Sequence, residues 1–275
     1  MPELPEVESV RCYLTTDGSS ILNQTIKDIL IHRESVVDGE PALLNAVLIG
    51  DQITAVERHG KYLFFRTTGG QTLAMHLRMT GRCLVTALDQ PPASHARLTI
   101  VFSHCQLHFI DPRAFGRVWL VESPEVVIRS LGPDGLSVDG ASFMAGLARR
   151  SDSSMIKPVL LDQSFVAGIG NIYADESLYR AGIHPERRLF SLSACERERL
   201  FHAVSDVLTE AVLRKGANID GVFEAGHFPV AVYGRGGEPC FTCGSQIEKI
   251  KVAQRGTHFC RTCQPPQLAN AQKKR

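Results

Sequence analysis

Two hydrophobic periodicities divide the chain near residue 131. Before it, short apolar runs over 53–56, 62–66, 72–75, 82–85, 98–102, 107–110 and 118–121 predict strands. His59-Gly60, Gly69-Gly70 and Asp111-Pro112 mark turns between them. Short strands at such regular spacing predict a β-sandwich or barrel. Two helices accompany them. One opens near Pro5, carries Val7, Val10 and Leu14 at helical spacing, and stops at Asp17-Gly18. The other covers 41–50, with proline early and glycine at its end.

Leu131-Gly132-Pro133-Asp134-Gly135 reads as a linker, and helical periodicity follows it. A helix is predicted over 155–162. The turn Gly168-Ile169-Gly170-Asn171 comes next, with Asn171 as N-cap of a helix running to about Ala181. Ser193 and Glu196 form a capping box. The helix they open puts Leu200, Val204, Val207, Leu208 and Ala211 on one buried face and stops at Gly216. The glycine turn admits two readings. It is an ordinary packing turn between helices, or its backbone N–H groups cradle a phosphate.

Hydrophobic residues are 44% of the 275 and charged residues 21%, a globular rather than disordered or fibrous balance. This length suggests about two domains. No apolar run approaches the ~18 residues of a membrane span. The first residues lack a basic stretch followed by an apolar core, so a bacterial-type cytoplasm is the expected compartment. Thiols stay reduced there, and the eight cysteines do not imply disulfides.

Net charge is only +1 but unevenly spread. From residue 225 onward, eight basic residues face two acidic ones, a net +6 that leaves −5 on the remainder. Such a basic end is a local footprint for a polyanion, or for Lys273, Lys274 and Arg275 a solubilising tail.

Within that segment lie Cys240-x2-Cys243 and, after sixteen intervening residues, Cys260-x2-Cys263. This is the spacing of a four-cysteine zinc site, each pair presenting two thiolates from one tight turn. Four thiolates leave no open coordination position, so the predicted Zn2+ is structural. Residues 247–254 alternate as a strand, with Arg255-Gly256 predicted as a hairpin tip. Cys12, Cys83, Cys105 and Cys195 are read as buried free thiols.

The chain opens Met1-Pro2-Glu3-Leu4-Pro5-Glu6-Val7-Glu8. Removal of the methionine would leave a secondary amine, and an α-amino group titrates near pH ~8, low enough to be partly nucleophilic at neutral pH. A carboxylate one residue away can shuttle protons. On its own this stretch reads as an unremarkable helix start.

Taken together, these segments resemble the formamidopyrimidine-DNA glycosylase family. The likeness runs through Pro-Glu-Leu-Pro-Glu-Val-Glu at 2–8, Lys61-Tyr62-Leu63, His76-Leu77-Arg78-Met79-Thr80-Gly81 and Asp111-Pro112-Arg113-Ala114-Phe115-Gly116. It continues through Leu160-Leu161-Asp162-Gln163, the glycine turn, Ala181-Gly182-Ile183-His184-Pro185, Val232-Tyr233-Gly234-Arg235 and the cysteine segment with Arg255-Gly256-Thr257.

The resemblance implies an α+β multidomain chain. An N-terminal β-sandwich with flanking helices spans 1–131, a helix-two-turns-helix domain 132–224, a zinc-finger β-hairpin 225–264, and a disordered basic tail 265–275. It implies a monomer that holds lesion-bearing double-stranded DNA in a cleft and has no membrane partner. Pro2 would attack C1′ as a Schiff-base nucleophile, Glu3 would be the acid/base, Lys61 would assist β-elimination and Arg255 δ-elimination. Met79, Arg113 and Phe115 would fill the void left by a flipped base. His95, Arg150, Lys157, Asn171 and Tyr233 would contact DNA, largely through phosphates.

Two departures stand out against the family pattern. The stretch 217–231 is short where relatives carry a loop over flipped 8-oxoguanine, which predicts weaker selectivity for that lesion. The usual His-x-His near position 93 has Ala93 first and His95 second. Two other functions use the same scaffold: an endonuclease VIII-like glycosylase for oxidised pyrimidines, and a non-enzymatic lesion-binding protein. Leu4 and the Met79/Arg113/Phe115 set favour the purine enzyme over the first. Intact Pro2, Glu3, Lys61 and Arg255 argue against the second.

Overall fold

The computed structural model describes residues 2–16, 18–219 and 226–266. The predicted tail from 267 onward and positions 220–225 of the short stretch lie outside them. The chain divides into two compact units, Met1–Ser130 with Asn218–Gly226, and Leu131–Ala217 with His227–Arg275.

The first unit begins with α1 (Leu4–Thr15). Pro5 sits in its first turn, where the missing N–H costs nothing. Glu3 is the N-cap, and its backbone N–H donates to Glu6 Oε2 at 2.8 Å in a capping box. Leu4, Val7, Val10 and Leu14 recur at helical spacing and are buried. After α1 come β1 (Ile26–Ile31), α2 (Pro41–Leu48), β2 (Ile53–His59), β3 (Tyr62–Thr67), β4 (Thr72–His76), β5 (Arg82–Thr86), β6 (Ala96–Phe102), β7 (Gln106–Ile110), β8 (Arg117–Val121) and a one-turn α3 (Glu125–Ile128).

The strands form two four-stranded antiparallel sheets, ordered β1-β6-β7-β5 and β2-β3-β4-β8. This is the expected sandwich. Leu63, Phe65, Leu73 and Met75 from one sheet share a core with Leu98, Ile100, Phe102, Leu107 and Phe109 from the other. The opposite face of β3, β4 and β8 is covered too. Phe64, Ala74 and Trp119 pack there with Val127 and Ile128 of α3. Covering both faces explains why β3 reads as a nearly continuous apolar run. Strand β1 escaped the sequence pattern. Its register slips between Ile26 and Asp28, so its buried residues, Ile26 and Ile29, are three apart rather than two.

The second unit holds α4 (Gly140–Ala148), α5 (Ile156–Leu161), α6 (Asn171–Ala181) and α7 (Ala194–Leu213), then the hairpin β9 (Ile247–Val252) and β10 (Arg255–Cys260). Ser193 and Glu196 form the predicted capping box of α7. Gly182 closes α6 in the left-handed region. Among the described residues, no helix is long and apolar enough to cross a membrane.

Four cysteines depart from expectation. Cys12 and Cys195 are exposed, and Cys83 and Cys105 are half-buried. Cys12 lies on the outward side of α1 and Cys195 in the first turn of α7, where neither helix presents its core face.

On α1, Glu8 accepts from Arg11 Nη2 at 2.6 Å and Arg58 Nε at 2.8 Å. Burial raises its pKa, but the two arginines outweigh burial and hold the carboxyl below its ordinary value. A carboxyl lowered on folding stabilises above its unfolded pKa of about 4.3 and loses that contribution as pH falls through the folded value. Glu8→Gln should therefore lower the thermal midpoint at pH 7, and the difference from the parent should start to shrink as pH falls below about 4 and vanish once pH is below the lowered folded value.

Candidate nucleic-acid interface and metal site

In the first unit, Pro2 and Glu3 are buried at the head of α1, held there by the Glu6 cap. Lys61 is half-buried on the two-residue connection between β2 and β3. Gly60 takes φ 57° there, the first-position requirement of a type II′ hairpin turn. Tyr62, one residue on, pairs with His76 across β4, their rings edge-on at 4.7 Å. His76 Nδ1 accepts the Arg78 backbone N–H at 2.9 Å, which assigns the ring proton to Nε2. Burial first, then the charges of Arg78 and Lys61, push its pKa down to about 3, so the ring is neutral at physiological pH. His76 is thus a neutral donor beside a lysine. The sequence offered its motif but not this role; the signal was its register opposite Tyr62.

Three further loops carry Met79, His95 and the pair Arg113 and Phe115. Met79 is half-buried; the other three are exposed. The Arg113 guanidinium lies 4.8 Å from the Phe115 ring centroid, a cation–π pair. Each loop contains a non-glycine residue in the left-handed region: Arg78 at φ 56°, His95 at 62° and Ala114 at 53°. Such residues persist only where surrounding contacts over-determine the backbone.

In the second unit, α6 organises the other candidates. The N-cap of α6 is Gly170 rather than Asn171. Asn171 is instead the first helical residue, and its Nδ2 donates to the Gly256 carbonyl at 2.8 Å. The same carbonyl accepts from Lys157 Nζ at 3.1 Å. Lys157 is fully buried, paired with Asp175 Oδ1 at 2.6 Å and donating to Thr257 Oγ1 at 2.8 Å. Asp175 Oδ2 accepts the His258 N–H at 2.9 Å. Lys157 therefore does not face outward as a phosphate contact; it braces the hairpin. Removing one partner of such a buried pair typically costs ~3–5 kcal/mol.

Glu176, the next residue on α6, accepts the backbone N–H groups of Ala231, Val232 and Tyr233 at 2.8, 3.0 and 2.8 Å. Burial raises its pKa against those donors. Tyr233 is held half-buried by this clamp, its ring 5.3 Å from that of His258. Arg150 is turned inward, with its guanidinium 3.0 Å from Asp162 Oδ2 and donating to Ser164 Oγ at 2.9 Å.

The hairpin tip is Ala253-Gln254, both left-handed at φ 46° and 64°, rather than Arg255-Gly256. Arg255 is exposed and opens β10 opposite Val252. Two consecutive positive-φ residues make the two-residue turn that matches strand twist.

At the other end of the hairpin, the Sγ atoms of Cys240, Cys243, Cys260 and Cys263 lie within 4.8 Å of one another. Cys240 and Cys263 are 3.8 Å apart and Cys243 and Cys260 3.4 Å. A tetrahedral Zn–S length of ~2.3 Å requires sulfur separations of ~3.8 Å. The donor set and its spacing fit one structural Zn2+, whose four thiolates leave no position for substrate. Tyr179 of α6 stands 3.2 Å from Cys240 Sγ and 2.7 Å from Thr242 Oγ1. Burial and the Cys240 thiol push its hydroxyl up to about 12, so it stays protonated between the sulfur and the Thr242 hydroxyl.

The first unit thus offers a buried prolyl helix start, and the second a glycine turn and a four-cysteine hairpin. Family profiles match three successive segments: Formamidopyrimidine-DNA glycosylase N-terminal domain over residues 1–118, Formamidopyrimidine-DNA glycosylase H2TH domain over 131–221, and Zinc finger found in FPG and IleRS over 237–266. The chain is 41% identical to the Formamidopyrimidine-DNA glycosylase of Desulfitobacterium hafniense, over 96% of this chain and 100% of that protein. It is also 41% identical to the Pelotomaculum thermopropionicum protein of the same name, over 96% and 99%. Among solved structures, Lactococcus lactis Fpg (MutM) in complex with DNA containing N7-benzyl-Fapy-dG superposes with TM-score 0.89 at 37% identity, over 96% of this chain and 100% of that one. A MutM complex with DNA containing carbocyclic 8-oxo-G gives TM-score 0.88 at 37% identity, with the same coverage. The chain belongs to the formamidopyrimidine-DNA glycosylase family.

Chelation tests the metal site. Purified protein should release one zinc per chain to a strong chelator. Loss of the metal should cost the β9–β10 hairpin its amide-exchange protection while the sandwich strands keep theirs.

Proposed function

We propose that this protein is a bifunctional DNA glycosylase and abasic-site lyase of base excision repair. It excises oxidised purines, formamidopyrimidines and 8-oxoguanine, from double-stranded DNA. The observation that carries this reading is the Pro2-Glu3 head of α1, buried and capped, in a chain of this family. Methionine removal frees the Pro2 nitrogen. Its lone pair attacks C1′ of the extruded nucleotide, the N-glycosidic bond breaks and the base leaves, taking up a proton. The C1′–O4′ bond of the resulting aminal then opens as Glu3 delivers a proton to O4′, and the product is an iminium at C1′. Loss of a C2′ proton then expels the 3′ phosphate, and a second elimination expels the 5′ phosphate. Lys61 assists the first elimination and Arg255 the second.

Extrusion costs a few kcal/mol of stacking. Met79 and Phe115 offset that cost as apolar wedges, and Arg113 hydrogen-bonds the orphaned base. His95, His76 and Tyr233 contact the sugar–phosphate backbone. Asn171 and Lys157 act at one remove, through the Gly256 carbonyl that both hold. Arg150, committed to Asp162, shapes the turn between α5 and α6 rather than making a direct contact. Backbone contacts of this kind position DNA without reading its sequence, as lesions at arbitrary sites demand. Its place of work is the bacterial cytoplasm, on chromosomal DNA.

Borohydride trapping on an abasic duplex separates enzyme from binder. After intact mass has verified a Pro2 terminus, a covalent adduct is expected, and Pro2→Gly should reduce its yield at least about tenfold. Absence of an adduct would sink the enzymatic reading. In the same assay series Arg255→Ala should retain zinc and the β-product and lose the δ-product.

The short stretch 217–231 bears on lesion choice. Single-turnover excision should run faster on formamidopyrimidine and hydantoin duplexes than on 8-oxoguanine, by about threefold or more, because less loop is available to enclose the flipped base. A clear 8-oxoguanine preference would count against this.

A further inference from the structure

Asp111 takes no part in the chemistry above, yet three loops of the first unit meet on it. Its side chain is fully buried. Oδ1 accepts the Thr80 hydroxyl, one residue from Met79, and the Arg113 backbone N–H at 3.3 Å. Oδ2 accepts the Gly116 N–H at 2.7 Å, next to Phe115. Its own N–H donates to the His95 carbonyl at 3.0 Å. Its carbonyl accepts Arg97 Nε at 2.7 Å, while Arg97 Nη2 holds the Pro112 carbonyl at 2.9 Å.

The surrounding backbone is shaped to permit these contacts. A Cβ on Gly116 would fall 2.3 Å from the Phe109 ring and 3.2 Å from Asp111 Oδ2. A Cβ on Gly81 would fall 2.4 Å from the Leu77 carbonyl that closes the Met79 loop. The left-handed residues Arg78, His95 and Ala114 lie in the same three loops. Strained backbones need an external reason to hold their shape, and one buried carboxylate supplies donors' partners in two of the loops and a main-chain tie to the third.

We infer that Asp111 is a positioning residue that locks the Met79, His95 and Arg113–Phe115 loops into one rigid wedge. The inference rests on the reading that Met79, Arg113 and Phe115 fill the void left by an extruded nucleotide. A wedge must be set before the DNA arrives, because ordering three loops on binding would subtract from affinity. Asp111 does this without touching DNA. Thr80 is the link that can be cut most narrowly, since its hydroxyl joins the Met79 loop to the carboxylate.

The experiment uses a duplex with 2-aminopurine opposite a tetrahydrofuran abasic analogue, at protein concentrations that saturate binding for each variant. Insertion of the wedge perturbs stacking of the orphaned base and changes its fluorescence. The parent protein should give a clear change. Thr80→Val should reduce it at least about threefold, and Thr80→Ser, which restores the hydroxyl, should recover it. A merely structural role would lower the melting temperature of Thr80→Val without altering the signal at saturation. Arg113→Ala is the control for the underlying reading. If Arg113→Ala loses the signal and Thr80→Val keeps it, the wedge reading stands and the role given to Asp111 is wrong. If the parent gives no signal, or Arg113→Ala leaves it unchanged, the void-filling reading fails and this inference falls with it. Should Thr80→Val not fold, Asp111→Asn, which keeps an acceptor for Gly116 and removes the charge, is judged by the same signal.

Discussion

Backbone N–H groups in irregular segments must find acceptors, and in this protein buried carboxylates supply them. Glu6 takes the N–H of Glu3, Asp111 those of Arg113 and Gly116, Asp175 that of His258, and Glu176 three in succession from Ala231 to Tyr233. Hydrogen bonds to a charged acceptor contribute more than neutral ones, roughly 1.5–3 kcal/mol each, so they can fix loops that lack a ladder. The cost is visible at Glu176, whose burial works against its charge. Each of these acids sits in or beside a segment assigned a part in DNA recognition or chemistry. The regular strands and helices supply the platform, and the acids set the irregular backbone upon it.

The second unit shows how far one element can extend this principle. Helix α6 reaches the hairpin through Asn171 and Asp175, the Tyr233 segment through Glu176, and the first cysteine knuckle through Tyr179. It also accepts the Ala217 N–H on the Tyr173 hydroxyl at 3.1 Å. Zinc fixes one end of the hairpin and Lys157 with Asn171 the other. Between these anchors, the exposed Arg255 has little freedom in its backbone. The metal does no chemistry; it and α6 together place a side chain that stands far in sequence from the N-terminal amine.

Local signals in the sequence reported local structure well. The Ser193/Glu196 capping box, the proline and glycine bounds of α2 and the two Cys-x2-Cys knuckles each depend on residues within one turn of each other. Strand β1 stayed hidden because a bulge breaks its period, and a two-residue alternation was the only available signature. Lys157 reads in sequence as an exposed cation, since lysine is rarely buried without a partner. That partner, Asp175, lies eighteen residues away on another helix, so the burial depends on packing no window reveals. The convergence of residues 80, 95, 113 and 116 on Asp111 is a property of the sandwich, and motif reading could name the loops but not their common anchor.

The loading of α6 has a consequence for how this protein can change. Asn171, Asp175, Glu176 and Tyr179 serve three different neighbours from fixed angles around one axis. A single inserted or deleted residue rotates everything beyond it by about 100°. Such an event near the start of the helix would detach hairpin, tyrosine segment and knuckle together. The eleven residues of this helix therefore act as a single register, in which a change of length is felt at every contact beyond it.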